Sequence, residues 1–425
     1  MTHLFDELAW RGMLQDATEG ARDHLATGAR GIYIGFDPTA DSLHVGSLLP
    51  IMVLVHAQRA GHHPIALVGG ATGLIGDPSG KSAERPLLLR EQMEANAQGI
   101  RSQLEHFLDF ETTSNPARMR NNLDWLGGTG VLDFLRDVGK HFSVNAMLRK
   151  ESVRRRVESD EQGISFTEFS YQLLQAADFL HLHQADACTM QMGGSDQWGN
   201  ITAGVELIRR ASGGHAFGAT SPLVTTAAGT KFGKTEAGTV WLDAARTSPF
   251  RFYQFWINCA DADAGRYLRF FTFMSREEIE ALDQATADEP HRRAAQKALA
   301  EDVTRRVHGE AGLAGALRAT EALFGGSLDG LAADEIADVF AEVPSSVISA
   351  DALSGDAGAL LEVLASTDLA TSKGDARRAV QGGGVYVNGT RIDDADVRLS
   401  PEDAIEGRFI VLRKGKKSYH LLEVR

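Results

Sequence analysis

The sequence predicts an α/β protein: a parallel sheet with a binding crevice, broken by a helical insertion and followed by an all-α module and a small α+β tail. Three observations lead there. Short apolar runs (Ile32 to Ile34, Pro64 to Val68, Cys188 to Met192) alternate with helical patterns, and each run breaks into a glycine-bearing turn. The third is size, since 425 residues with 43% apolar content can bury two or three substantial cores. Strand, helix, strand in that order implies right-handed crossovers, with ligands bound beyond the carboxyl ends of the strands.

Charge and cysteine content exclude several classes. A formal charge of −14 argues against wholesale wrapping of nucleic acid, so an RNA partner has to meet local basic patches. Cys188 and Cys259 leave no disulfide framework and no thiolate zinc site. The N-terminal segment is charged throughout, and the longest apolar run, Leu48 to Ala57, is too short to cross a bilayer. The expectation is a cytoplasmic protein with no membrane partner.

In chain order, apolar spacing from Leu4 to Leu14 predicts a helix, and a second short helix ends near Gly28. Gly31 to Ser47, GIYIGFDPTADSLHVGS, reads as a buried strand that breaks at Gly35 and delivers His44 and Gly46 to the start of an apolar helix. Helix N-termini attract anions, so this is a phosphate-binding layout, although His44 could simply cap the helix. The helix Leu48 to Gln58 is expected to lose a hydrogen bond, and to bend, at Pro50. A strand from His63 then enters the glycine-rich loop ATGLIGDPSGK, with Asp77, Lys81 and, slightly later, Arg85. A mostly helical insertion follows from about 86 to 165, with a basic cluster at Arg149, Lys150, Arg154, Arg155 and Arg156 that fits a solvated face or an RNA backbone.

Ser165 and Glu168 form a predicted capping box for the next helix. On it Tyr171, Gln175 and Asp178 share one face, either a wet side or a pocket-lining stripe, and the apolar neighbours favour the stripe. Cys188 to Met192 reads as a strand, GGSDQWGN as a glycine turn, Ile201 to Arg210 as a helix, and Pro222 to Thr226 as a further strand. Lys231 and Lys234, with Thr235 among glycines, make a cationic loop suited to gripping polyphosphate. Residues 246–324 read as helical, 325–357 as a loosely ordered linker, and 358–425 as two helices followed by strands. From Leu360 onward 11 basic side chains face 10 acidic ones, which makes the tail the electrostatic exception. Lys373, Arg377, Arg378, Arg391, Arg413, Lys414, Lys416 and Lys417 are its candidate phosphate contacts.

HVGS after Asp37-Pro-Thr, together with KFGKT, resembles the two nucleotide motifs of class I aminoacyl-tRNA synthetases. FDPTADSLHVGS, ALVGGATGLIGDPSGK, GISFTEFSYQLLQAADF, GGSDQWGNITAG and GTKFGKTEAGTVWLD look like successive blocks of the bacterial tyrosyl-tRNA synthetase family, and VYVNG in the basic tail looks like its alpha-L type RNA-binding domain. The resemblance implies a Rossmann-like catalytic domain over 1–245, a helical anticodon-side domain over 246–324, a linker over 325–357 and an RNA-binding domain over 358–425. It further implies a homodimer that activates L-tyrosine with ATP and Mg²⁺, releases pyrophosphate, and charges tRNA(Tyr); no tightly bound cofactor and no protein metal site are implied.

Carried over by motif, Tyr33 and Asp178 would meet the substrate phenol, and Asp77, Tyr171 and Gln175 its ammonium group. Gln191 and Gln197 would lie near the carboxylate and α-phosphate, Gly193 and Asp196 near the ribose, and Gly35, Asp37, Gly46 and Ser47 against the nucleotide. Thr39, His44, Lys81, Arg85, Lys231, Lys234 and Thr235 would surround the leaving pyrophosphate. Departures are Ser47, where histidine is common, and Phe232-Gly233, where many class I enzymes carry methionine and serine. A tryptophan-specific sister enzyme and a catalytically silent RNA-binding relative are the competing expectations. The phenol-facing pair weighs against the first, and the two lysines against the second.

Overall fold

The computed structural model describes residues 3–79, 89–150, 153–154, 157, 163–230, 232–235 and 238–425. Its chain divides into two compact units, 1–246 with 258–299, and 247–257 with 300–425.

The first unit is built on a six-stranded sheet. Its strands are β1 (Asp16–Ala17), β2 (Gly31–Phe36), β3 (His63–Val68), β4 (Arg118–Asn121), β5 (Cys188–Gly194) and β6 (Phe217–Ser221), in the spatial order β1-β6-β5-β2-β3-β4. All pairs are parallel except β1 with β6. From β2 the chain winds one way through β3 and β4, then restarts at β5 and winds the other way to β6. β2 and β5 are neighbours, so the switch point lies between them, where two connections depart in opposite directions and leave a crevice. Tyr33 and Gln191 are register partners across it.

One face of the sheet packs Tyr33, Ile65, Leu67 and Cys188 against Phe179, Leu182 and Ile208, which come from the helices Phe166–Asp186 and Trp198–Ser212. Leu48–Arg59 contacts β2, β3 and β5. Pro50 does not cost that helix a hydrogen bond as expected, because it is the third helical residue, where an N–H has no intrahelical acceptor.

The insertion, expected to be mostly helical, also supplies a strand, because β4 pairs in parallel with β3 and extends the sheet. One strand assignment is corrected. The strand expected at Pro222 to Thr226 instead occupies Phe217–Ser221, before the proline, where each N–H can join the ladder.

The second unit holds a five-stranded sheet of β9 (Ser345–Ile348), β10 (Val385–Val387), β11 (Thr390–Ile392), β12 (Phe409–Lys414) and β13 (Ser418–Val424), ordered β11-β10-β12-β13-β9. Alternation splits its side chains cleanly. Ile410, Leu412, Leu422 and Val424 join Leu360, Val363, Leu364 and Val380 in one core. Phe409, Val411 and Leu421 join Ile336, Phe340, Ala319 and Ala322 in another. The segment 325–357, expected as a loosely ordered linker with short helices, holds the short helix Ala333–Val339 beneath the sheet and also contributes β9, paired in parallel with β13. The helical stretch 246–324 is likewise no module of its own, because its residues are divided between the two units.

Candidate functional site

A cleft of about 740 Å³ opens at the switch point of the first sheet. Its floor is β2 and β5. Tyr33 is 1% exposed, and its hydroxyl has no hydrogen-bond partner among the described residues. Burial pushes that hydroxyl well above the usual phenol range, so it stays protonated. Gln191 is also buried, and its side-chain oxygen lacks a partner among the described residues. A Cβ at Gly204 would come within 2.9 Å of Phe179 and 3.5 Å of the Gln191 oxygen, so this amide sits on the helix-covered side of the sheet, beside Tyr33.

The Tyr171, Gln175 and Asp178 stripe does line the cleft, as the apolar flanks of its helix required. That helix is held at its start by the predicted capping box of Ser165 and Glu168. Asp178 is 1% exposed; one carboxylate oxygen accepts from Asn122 Nδ2 at 2.9 Å and the other from Trp125 Nε1 at 2.8 Å. Desolvation pushes its carboxyl up to about 7 despite these two donors, which favour the ionised form.

The network continues outward. Asn122 Nδ2 also donates to Thr72 Oγ1 at 2.9 Å, and Thr72 donates to Asp37 Oδ1 at 2.8 Å. Tyr171 donates to the other Asp37 oxygen at 2.8 Å. Gly69 is required here, because a side chain would land on Asp37 and Thr72. A second cluster lies alongside. Gln197 Nε2 donates to Asp77 Oδ2 at 2.6 Å, and Asn200 Nδ2 reaches Gln197 Oε1 at 3.2 Å and Gln175 Oε1 at 3.1 Å.

At the other end the sequence His44-Val-Gly-Ser begins a 3-10 turn over Val45–Ser47. His44 Nδ1 accepts from the Gly46 N–H at 3.0 Å, so it is a cap after all, and the neutral ring keeps its proton on Nε2. Any side chain at Gly46 would collide with that imidazole at 2.7 Å. Gly35, Asp37, Thr39, Ser47, Gly193 and Asp196 also line the cleft. The predicted residues from Tyr33 to Gln197 that fall among the described positions thus converge on one cavity.

Lys81, Arg85 and Lys231, like Arg155 and Arg156 of the basic cluster, lie outside the described residues. The main chain of Lys234 and Thr235 forms β7, paired antiparallel with β8 (Gly238–Thr239). Phe232 roots this segment, its ring stacked on Phe271 at 5.5 Å and tilted against Tyr267 at 5.0 Å. Sequence reasoning missed Thr72, Asn122, Trp125, Asn200 and Trp241. Nothing local marks Asn122 and Trp125, whose roles depend on partners roughly 50 residues or more away.

A parallel sheet whose switch-point cleft is lined by His44, Gly46 and Ser47 of the HVGS turn and by Phe232 of the KFGKT motif defines a nucleotide-using class of enzyme. The family described as tRNA synthetases class I (W and Y) matches residues 26–325, and the Tyrosine--tRNA ligase SYY-like C-terminal domain matches 335–422. The chain belongs to the class I tRNA synthetases of the tryptophan and tyrosine group, and within it to the tyrosyl-tRNA synthetases. It is 57% identical over 424 residues to the tyrosine--tRNA ligase of Roseiflexus castenholzii, covering 100% of both chains. It is 56% identical over 422 residues to that of Bacillus caldotenax, covering 99% of each. Among solved structures it resembles a C-terminally truncated mitochondrial tyrosyl-tRNA synthetase of Aspergillus nidulans, with TM-score 0.69 and 32% identity over 76% of this chain and 95% of that one. The family activates tyrosine, with ATP as a substrate, and transfers it to tRNA; this chain is an aminoacyl-tRNA ligase of that kind.

Proposed function

We propose that tyrosine lies with its phenol between Tyr33 and Asp178 and its ammonium group at Asp77 and Gln175, so that its carboxylate points at the α-phosphate of ATP. One observation carries this reading: the fully buried Tyr33 hydroxyl without a partner among the described residues, in a cleft that also holds the buried Asp178 carboxyl. A phenol is the group that completes both. Rejecting phenylalanine then follows from leaving buried polar groups unpaired, a rule for which tyrosyl-tRNA synthetases are a standing example.

Tyr171 supports the ammonium end through its bond to Asp37, and Gln197 orients Asp77. Gln191 and Gln197 approach the carboxylate and α-phosphate, with Gly193 and Asp196 at the ribose and Gly35, Asp37, Gly46 and Ser47 at the nucleotide. ATP enters as its magnesium complex. The carboxylate oxygen attacks the α-phosphorus, the bond to the bridging oxygen breaks, and pyrophosphate leaves. No base is needed, so rate comes from alignment and from donors that meet the charge growing on the leaving group. His44 Nε2–H and Thr39 supply donors there, and Lys81, Arg85, Lys231, Lys234 and Thr235 supply the rest. A hydroxyl of the 3′-terminal adenosine of tRNA(Tyr) then attacks the adenylate carbonyl and expels AMP.

The test is ATP–pyrophosphate exchange with Tyr33→Phe. Tyrosine should bind about tenfold more weakly, the worth of one buried hydrogen bond, while the preference over phenylalanine shrinks. An unchanged preference would remove the phenol from this end of the cleft.

The active assembly is a homodimer in the cytoplasm. Val131, Leu132 and Leu135 support this, being 69%, 78% and 52% exposed on one short helix, an apolar surface of the kind that copies of a chain cover. Sedimentation of Leu132→Asp should give monomers, and a dimer as tight as the parent's would move the interface elsewhere.

A further inference from the structure

The cleft wall beside His44 is completed by a strand-like segment that follows the lysine loop. The Val45 N–H donates to Val240 O at 3.0 Å and the Leu242 N–H to Leu43 O at 2.8 Å, so His44 and Trp241 form an antiparallel bridge. The Val240 N–H in turn donates to Gly233 O at 3.0 Å, tying the bridge to the hairpin that carries Lys234. Gly233 holds φ of +79°, and a side chain there would press Val45 at 2.6 Å. The two nucleotide motifs are therefore joined through main chain, and the residue at the joint is an aromatic one.

Trp241 meets the His44 imidazole edge-on, with ring centroids 6.2 Å apart at 71°. Its own ring is covered by the Arg246 guanidinium, 3.7 Å from the centroid, and Arg246 is held by Asp41 at 2.6 Å. Asp41 belongs to the turn that leads into His44. The clamp thus starts and ends on the same short loop, and it fixes the ring plane of Trp241 relative to the histidine.

We propose that Trp241 is a positioning residue for tyrosine activation: clamped by Arg246 and Asp41, it sets the His44 ring and links that setting to the main chain of the lysine loop. It acts through His44 and has no direct part in tyrosine binding. This rests on the reading of His44 as a donor to the departing pyrophosphate.

The experiment measures ATP–pyrophosphate exchange for Trp241→Leu, His44→Asn and the double variant. Trp241→Leu should lower kcat about tenfold, the scale expected when a reacting group is misplaced, with the KM for tyrosine unchanged. The loss should nearly vanish in the His44→Asn background, and Trp241→Phe should restore most of the rate. Arg246→Gln, which spares the ring, should lose about threefold with the same dependence on His44, and it serves if the leucine variant does not fold. Losses that multiply in the double variant, or a KM for tyrosine that rises with the fall in kcat, overturn the proposal. If His44→Asn alone leaves exchange unchanged, the reading of His44 fails first, and that result is distinct from either.

Discussion

Asp178 carries the sharpest prediction at the scale of single residues. Burial holds its carboxyl at about 7, above the roughly 4 of an unfolded chain, so the folded protein binds that proton more tightly. The sign follows: the free protein loses stability as pH rises from about 4 to about 7, and the loss is complete above that range. A phenol O–H donates best to the ionised carboxyl. Tyrosine binding should therefore tighten as pH rises to about 7 and then level off, and Asp178→Asn, which cannot ionise, should flatten the rise. Equilibrium binding across that range would decide it, and identical profiles for the two proteins would count against Asp178 as the group that titrates. Asn122 and Trp125 matter here because their two N–H groups aim the carboxylate, one at each oxygen.

Among the elements, the helix Phe166–Asp186 does the most to build the site, since one of its faces packs under the sheet and another delivers Tyr171, Gln175 and Asp178. Its start is fixed by Ser165, whose hydroxyl accepts from the Glu168 N–H at 3.2 Å. Ser165→Ala should cost about 1 kcal/mol of stability in denaturant unfolding, leaving the tyrosine preference intact. A loss of several times that would mean the serine holds more than the helix end. This helix was legible in the sequence because its cap, its period and its polar stripe are all local. Several strands were not, and β4, β6 and β9 show why in their composition. β4 is Arg-Met-Arg-Asn, with both arginines turned to Asp186, so it lacks an apolar signature. β6, Phe-Gly-Ala-Thr-Ser, has small residues that suit a crowded sheet and score poorly as a strand. β9, Ser-Ser-Val-Ile, gains its identity only from β13, more than 70 residues on.

For the molecule as a whole, the lining of the cleft falls entirely within residues 33–241, inside the first unit. Stopping the chain at residue 355 should therefore spare adenylate formation and weaken tRNA charging. The cut is not clean, because it leaves β9 without β13 and uncovers Ile336 and Phe340, which lose Phe409, Val411 and Leu421. The shortened protein should aggregate more readily than the parent while exchange per folded molecule is retained, measured by active-site titration after gel filtration. Exchange lost in the monodisperse fraction would mean the tail supports activation itself. The basic tail was readable by charge, yet the pairing of its cations was not. Lys414 binds Asp375 at 2.8 Å, Lys373 pairs with Glu362, Arg377 with Asp396 at 3.5 Å and Arg378 with Asp375 at 3.8 Å, and Arg413 lies over Tyr386 at 3.8 Å, which makes the exposed Arg391, Lys416 and Lys417 the better candidates for phosphate contact.

The buried Tyr33 hydroxyl also bears on how long the protein lasts. A polar group sealed inside without a partner among the described residues carries a free-energy penalty, and in the proposed binding mode a phenol would lift it. On that binding mode the amino acid should stabilise the fold as well as serve as substrate. In a cell starved of tyrosine, copies of this chain should be digested faster than in a fed one, and equal half-lives in a pulse-chase would refute that.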